Sequence, residues 1–254
     1  MRGDPGVDVE RAALVALRSA GAAVPEVVIS EPGFVAMEWM DGATLYSLRR
    51  RRGHGALVDE AVGKALGQVQ RCSLRAGAPA DFATRALWTS PEVFASASPA
   101  MLKLIRDVQA DAAAQERLSW LLSSERHVAR AAVHGDCRQP NVLVRGRRVV
   151  FVDWEASGAG DPCRDVGMLL ADDYRCWLAP ESRRERQTEA MRDAHFEALL
   201  AGWESEWGPG HRERVWCWLA ESLLRHEFAR AHHLHVVNEA VVRAALRWLR
   251  EVPR

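Results

Sequence analysis

Lysine is almost missing from this 254-residue chain: Lys64 and Lys103 are the only two among 34 basic residues, so nearly all the positive charge is arginine. Acidic residues also number 34, and the formal net charge is zero. No overall field draws such a chain to nucleic acid or to an anionic membrane, so any charge that grips a phosphate must be local. The five cysteines, Cys72, Cys137, Cys163, Cys176 and Cys217, are odd in number and include no C-x-x-C pair. That argues against a disulfide framework and a zinc site, and for a reducing compartment. No apolar run approaches the ~18 residues of a membrane span, and the first residues carry no signal-peptide pattern. The expectation is a cytoplasmic protein. There is no P-loop G-x-x-x-x-G-K-[ST] and no internal repeat.

What is present concentrates between His134 and Asp165, HGDCRQPNVLVRGRRVVFVDWEASGAGDPCRD. Val142 to Val144 and Val149 to Val152 are β-branched and aromatic runs around Arg145-Gly146-Arg147-Arg148, a pattern that predicts a hairpin. Its two ends meet. Asn141 precedes the first strand and Asp153 follows the second, so the hairpin returns a carboxylate to a carboxamide across eleven intervening residues. Both are oxygen donors of the kind that hold Mg²⁺ together with substrate phosphates and water. Asp136, in the loop just before, is placed to accept a proton from an attacking hydroxyl.

The spacing H-x-D-x-[KR]-x-x-N, then an apolar strand pair and a second Asp, resembles the catalytic loop and metal-binding Asp of protein kinases. With His134-Gly135-Asp136, Asp153-Trp154-Glu155 and Gly160-Asp161-Pro162-x-x-Asp165, the chain resembles the aminoglycoside phosphotransferase family, also called the phosphotransferase enzyme family. The resemblance implies an α+β, protein-kinase-like fold of two lobes. It implies Asp136 as catalytic base, Asn141 and Asp153 as metal ligands, and Arg138 as a phosphate-contacting cation, with His134 organising the loop. Asp165 reads by position as a helix-dipole charge, and only the resemblance suggests that it braces that loop. Glu155 stands open between a metal or loop ligand and a structural hydrogen bond.

Upstream, residues 7–20 predict an amphipathic helix with Val9, Ala12, Ala13, Ala16 and Leu17 inward. Val27 to Ile29 and Phe34 to Trp39 predict two strands about the turn Glu31-Pro32-Gly33. The segment Glu38-Trp39-Met40-Asp41-Gly42 reads as a hinge whose peptide groups match the edge of adenine, with Met37 and Met40 either against its faces or in ordinary core packing. Glu10 is the candidate for the helix carboxylate that pairs with a phosphate-binding lysine in kinases. The glycine-rich turn and lysine strand that should precede this helix do not appear in MRGDPGV, although Arg2 stands near the expected place. The expectation is a further small-lobe segment ahead of Met1. A real truncation and a degenerate, non-catalytic kinase are the alternatives. The domain reading is 1–40 as a partial N-terminal lobe and 41–254 as a helical C-terminal lobe.

Residues 43–77 predict helix, with Thr44 as a cap and Val62, Ala65, Leu66, Val69 and Cys72 inward, and residues 78–100 predict loop. Residues 101–123 and 125–133 read as helix, Asp161-Pro162 as a helix entry, and the tail from Glu181 as Trp-rich helices with a packed core. The cluster His226, His232, His233 and His235 lacks H-E-x-x-H or cysteine partners, so a structural or surface role is expected.

The functional expectation is an ATP- and Mg²⁺-dependent O-phosphotransferase. Its acceptor is a small hydroxylated molecule such as an aminoglycoside, or a peptide Ser/Thr. The run through Asp153-Trp154-Glu155 and the following Asp172-Asp173-Tyr174 is similar to phosphotransferase-like proteins of lanthipeptide and thioamitide maturation, which implies a partner enzyme of such a pathway. No nucleic-acid or membrane partner is expected. The alternative is a catalytically silent scaffold that binds a nucleotide, peptide or partner.

Overall fold

Helix α1 (Pro5–Ser19) opens the computed structural model, which describes residues 5–31, 33–50, 55–74, 94–95, 97–125, 130–178 and 188–251. The helix forms where expected, but the buried stripe is Ala13, Leu14 and Leu17, while Ala12 and Ala16 face solvent. The larger leucines take the inner face and turn the helix away from its alanine-rich side. Strands β1 (Val27–Glu31) and β2 (Phe34–Met37) form an antiparallel ribbon, Val27 opposite Met37 and Glu31 opposite Phe34. Gly33 sits at φ 76°, the left-handed conformation its turn needs, and Pro32 lies outside the described residues.

The stretch predicted as one helical region from Ala43 is broken. Ala43–Thr44 is a short strand, β3, followed by α2 (Leu45–Arg50) and α3 (Ala56–Gln70). The Thr44 hydroxyl oxygen accepts from the Ser47 N–H at 3.1 Å, so Thr44 does cap the helix. Val62, Leu66 and Val69 are buried along α3 as expected. Pro99, read as loop, instead begins α4 (Pro99–Gln109), capped by the Ser98 hydroxyl at 3.2 Å from the Met101 N–H. Helix α5 (Ala112–Glu125) follows. The helix expected over 125–133 is not found in its described part: Ala131–Val133 is strand β4, and residues 126–129 lie outside the described residues.

The predicted hairpin is present as β5 (Val142–Arg145) and β6 (Arg148–Phe151), in register from Val142 opposite Phe151 to Arg145 opposite Arg148. Gly146, at φ 61°, begins its two-residue turn, matching a II′ turn that puts glycine first. Strand β3 pairs with β5, and β7 (Gly158–Gly160) pairs with β4. Helix α6 (Pro162–Leu178) starts on the predicted Asp-Pro entry, where the Asp161 carboxylate accepts from the Cys163 N–H at 3.0 Å.

The tail is helical: α7 (Glu189–Trp207), α8 (Arg212–Leu234) and α9 (Glu239–Glu251). Trp203 and Trp218 are fully buried, as a core reading requires, and Trp216 stacks on Trp248 at 5.1 Å. Among the described residues no group of three or more His, Cys, Asp or Glu side chains can hold a metal, and no helix is long and apolar enough to cross a membrane.

Two compact units divide the chain. One comprises Met1–Pro79, Ala129–Leu169 and Gln187–Pro209; the other Ala80–Val128, Leu170–Arg186 and Gly210–Arg254. Within the first, α3 and α7 meet through glycines: a Cβ on Gly63 would stand 1.9 Å from the Leu199 carbonyl oxygen, and one on Gly202 would stand 2.0 Å from that of Glu60. The second is built on α8, whose buried Val215, Trp218, Leu219 and Leu223 make its core.

Candidate active site

The site begins at the end of β4, where His134 is buried with no exposed surface. Its ring packs 4.5 Å from that of Trp154. Nδ1 accepts from the Asp136 N–H at 3.3 Å, and Nε2 lies 2.9 Å from the Val152 carbonyl oxygen, an arrangement that fits the Nε2–H tautomer. Both ring nitrogens are spent on backbone, which ties His134 to the Asp136 N–H and the Val152 carbonyl. Gly135 follows at φ 80°, and a Cβ there would lie 2.1 Å from the Ala156 carbonyl oxygen. Two constraints, conformation and space, therefore demand glycine.

Asp165 closes the loop from below. Its two carboxylate oxygens accept from the His134 N–H at 2.7 Å and the Gly135 N–H at 3.0 Å. Asp165 does lie in the first turn of α6, and its side chain also holds the His134–Gly135 backbone. Burial raises its pKa, opposed by His134, by these two N–H bonds and by Arg164. Gln70, at the end of α3, donates to the Pro162 carbonyl at 2.9 Å and accepts from the Trp203 indole at 2.8 Å. Sequence reasoning missed Gln70. Its signal was a polar residue next to Val69 and four after Leu66, on the inward stripe of α3.

Asp136 stands at the loop's outer end, about one-third exposed. Its Oδ2 accepts from Arg138 Nη2 at 2.6 Å and from Asn141 Nδ2 at 3.1 Å. Arg138, expected on a phosphate, here rests on the candidate base. Asn141 ends a single 3₁₀ turn (Gln139–Asn141), and its carbonyl receives the Val152 N–H at 3.0 Å, which draws the mouth of the hairpin together. Asp153 comes next, at φ 70°, a left-handed backbone that is uncommon outside glycine and tends to occur where function holds it. The sequence thus brings Asp136, Asn141 and Asp153 to one place.

These donors suit a hard cation. The Asn141 amide nitrogen is committed to Asp136, which leaves its Oδ1 outward, and among the described residues the Asp153 carboxylate has no hydrogen-bond or ion-pair partner. Two oxygens from protein, with phosphate and water completing the shell, is the Mg²⁺ pattern.

Glu10 is half-buried, and its Oε1 accepts from the Trp154 N–H at 3.1 Å. It therefore braces the backbone just past Asp153. Burial raises its pKa, the Trp154 bond opposes this, and Asp153 and Glu155 raise it further. Neither lysine is among the residues gathered here. Glu155 is exposed. In the segment read as a hinge, the Glu38 N–H donates to the Glu26 carbonyl at 2.8 Å, continuing the ribbon's ladder past Met37. Met37 and Met40 are half-buried, Trp39 is 89 % exposed, and the Met40 N–H makes no hydrogen bond among the described residues. Arg2 lies outside the described residues.

The profile of the phosphotransferase enzyme family matches residues 4–209. The chain belongs to that family. Among solved structures, this phosphotransferase is similar to a choline/ethanolamine kinase family protein from Mesorhizobium loti, at 20 % identity over 97 % of this chain and 79 % of that one, with a TM-score of 0.65. It is also similar to the amicoumacin kinase hAmiN in complex with AMP-PNP, Ca²⁺ and Ami, at 14 % identity over 99 % and 78 % of the chains, TM-score 0.60. Aminoglycoside phosphotransferase APH(4)-Ia matches at 16 % identity over 98 % and 82 %, TM-score 0.59. At these identities the likeness establishes the kinase-like fold of the phosphotransferase. No curated protein matches it.

Proposed function

We propose that this phosphotransferase moves the γ-phosphate of ATP to an alcohol hydroxyl. The observation that carries the reading is the mouth of the hairpin, where Asn141 holds Asp136 and β6 delivers Asp153 beside it. Asn141 Oδ1 and the Asp153 carboxylate would hold Mg²⁺, which supplies neutralisation of the nucleotide phosphates. Asp136 Oδ2 takes the proton of the acceptor hydroxyl as the acceptor oxygen bonds to the γ-phosphorus and the bond from that phosphorus to the bridging oxygen breaks, with ADP as the leaving group. Arg138 leaves Asp136 for the incoming phosphate, and the base is freed when that anion arrives. His134, Asp165 and Glu10 keep the loop and the Asp153 backbone fixed, so that no reorganisation is needed at the moment of transfer. The Met40 N–H is open to an acceptor on the adenine edge, with Met37 and Met40 beside the ring.

The acceptor class is a hydroxylated small molecule or a peptide Ser/Thr; the solved neighbours bear the names of small-molecule kinases, which supports the former. Two variants test the division of labour. Asp136→Asn should lower acceptor-dependent ADP release by about 10²- to 10⁴-fold while keeping Mg²⁺-dependent thermal stabilisation by ATP. Asp153→Asn should abolish that stabilisation. Equal loss of nucleotide binding in both would refute these roles, and wild-type protein with no response to Mg²⁺ and ATP would favour the scaffold alternative.

A further inference from the structure

A groove of about 710 Å³ lies in the unit that holds the catalytic loop, away from the mouth of the hairpin. Three pieces of chain enclose it: the connection after α1, one face of α3, and the turn end of the β5–β6 hairpin. Its floor includes Ala22, Ala61, Ala65 and the buried Val149. Around it stand Lys64, Arg147 and Arg148, all exposed, with Glu60 as the one acidic lining residue. Among the described residues none of these three cations has an ion-pair partner, although 16 such pairs occur elsewhere. In a chain with zero net charge this is a local positive excess.

The groove's shape selects among anions. A small phosphate needs donors that converge on it, whereas here the cations ride on flexible stems from two separate elements around a methyl-lined floor. Alanines let a backbone approach closely and offer apolar contact without filling the space. An amphipathic segment with small or branched residues toward the alanines and carboxylates toward the rim satisfies both features.

The hairpin ties this groove to the chemistry. Arg148 begins β6, and Asp153 follows its far end five residues later; at about 3.3 Å per residue that is roughly 17 Å of extended chain. A linker of about five extended residues spans that distance. We propose that the groove docks an acidic amphipathic segment of a peptide acceptor, whose hydroxyl is thereby presented at Asp136. This rests on the phosphotransfer reading for its outcome at Asp136, but not for the docking itself.

The test uses the full chain and a fluorescein-labelled amphipathic peptide of leucine, alanine and glutamate that carries a serine beyond a flexible linker. Its counterpart has lysine in place of glutamate. Anisotropy should show binding of the glutamate peptide alone, weakened by added salt. The combined Lys64→Glu, Arg147→Glu, Arg148→Glu variant should lose about tenfold or more in affinity, as several exposed ion pairs are reversed together. Ala61→Trp, which fills the floor without touching charge, should weaken binding as well. Transfer of phosphate to the serine should show a KM raised in step, with kcat and Mg²⁺-ATP stabilisation unchanged. Equal binding of the lysine peptide, unchanged affinity in the triple variant, or displacement by inorganic phosphate would overturn the proposal, as would a dimer that the triple variant dissociates. Peptide binding without any phosphate transfer would support the docking surface and overturn the phosphotransfer reading instead.

Discussion

Replacing Gly63 by alanine should destabilise the protein, although alanine is the better helix former. In an exposed helix the change would gain about 1 kcal/mol. Here the new Cβ would stand 1.9 Å from the Leu199 carbonyl oxygen and 2.9 Å from the Trp203 nitrogen, both main-chain atoms of α7. Backbone cannot rotate aside, so α3 and α7 must part by about 1.5 Å to reach ordinary contact. A gap of 0.5–1 Å already forfeits about a quarter to a half of each dispersion well, and overpacking costs roughly 1–3 kcal/mol, occasionally more. A gross cost of about 3 kcal/mol, less the helix gain, leaves a net loss of about 2 kcal/mol, or a Tm lowered by about 4–8 °C for a chain of this size. Gly202→Ala, with its Cβ 2.0 Å from the Glu60 carbonyl oxygen, should behave alike. The double variant should lose less than the sum, because the first separation makes room for the second methyl. Thermal and urea unfolding of the four proteins complete the cycle. A Tm for Gly63→Ala at or above wild type, or strict additivity in the pair, would refute the close-contact argument. Because Gln70 on α3 accepts from Trp203 on α7 and donates to Pro162, the separation should also slow turnover by loosening the support behind Asp165.

Gly135→Ala meets both a φ of 80° and a carbonyl oxygen at 2.1 Å, so activity should fall by more than tenfold while the remaining fold, read by circular dichroism, persists. Glu227, buried in α8, has its pKa raised by burial against the opposing Asn238 N–H, Arg230 and Arg175. The folded protein thus holds this proton more tightly than the unfolded one, and the side chain's contribution to stability should decline as pH rises from the ordinary glutamate range through the raised folded value. Glu227→Gln, which keeps an acceptor for Asn238, should remove that decline in urea titrations between about pH 4 and pH 8; a difference from wild type of opposite slope would refute the assignment. Burial pushes the Cys217 thiol up to about 12, so alkylation at about pH 9 should modify Cys72 or Cys176 first and reach Cys217 only on unfolding, as peptide mass mapping would show.

The features that were legible in sequence are those whose cause is local. The β5–β6 hairpin follows from two β-branched runs and a glycine in the two-residue turn between them, and the Asp161-Pro162 entry to α6 follows from chemistry confined to three residues. Thr44 caps its helix for the same reason. Strands β3 and β4 were misread as helix because Ala43-Thr44 and Ala131-Ala132-Val133 are too short and alanine-rich to show a period of two. Their pairing is decided by partners, Val144 and Gly158 among others, that lie far along the chain.

The site shows the same divide at finer grain. Asp136, Asn141 and Asp153 could be placed together because the hairpin's geometry forces its ends to meet. By position alone, Asp165 and Glu10 were read through the charges that a carboxylate usually seeks, a helix dipole and a lysine, with loop bracing by Asp165 suggested only by the resemblance; each carboxylate accepts from peptide N–H groups, His134 and Gly135 for Asp165 and Trp154 for Glu10. A main-chain donor is the same whichever residue bears it, so no letter of the sequence announces the partnership. Only the path of the chain can, and that path depends on Gly135 turning at positive φ and on Asp153 turning again before Trp154. Side chains expected to balance charge therefore hold backbone in place, while among the described residues the Asp153 carboxylate is left without a hydrogen-bond or ion-pair partner.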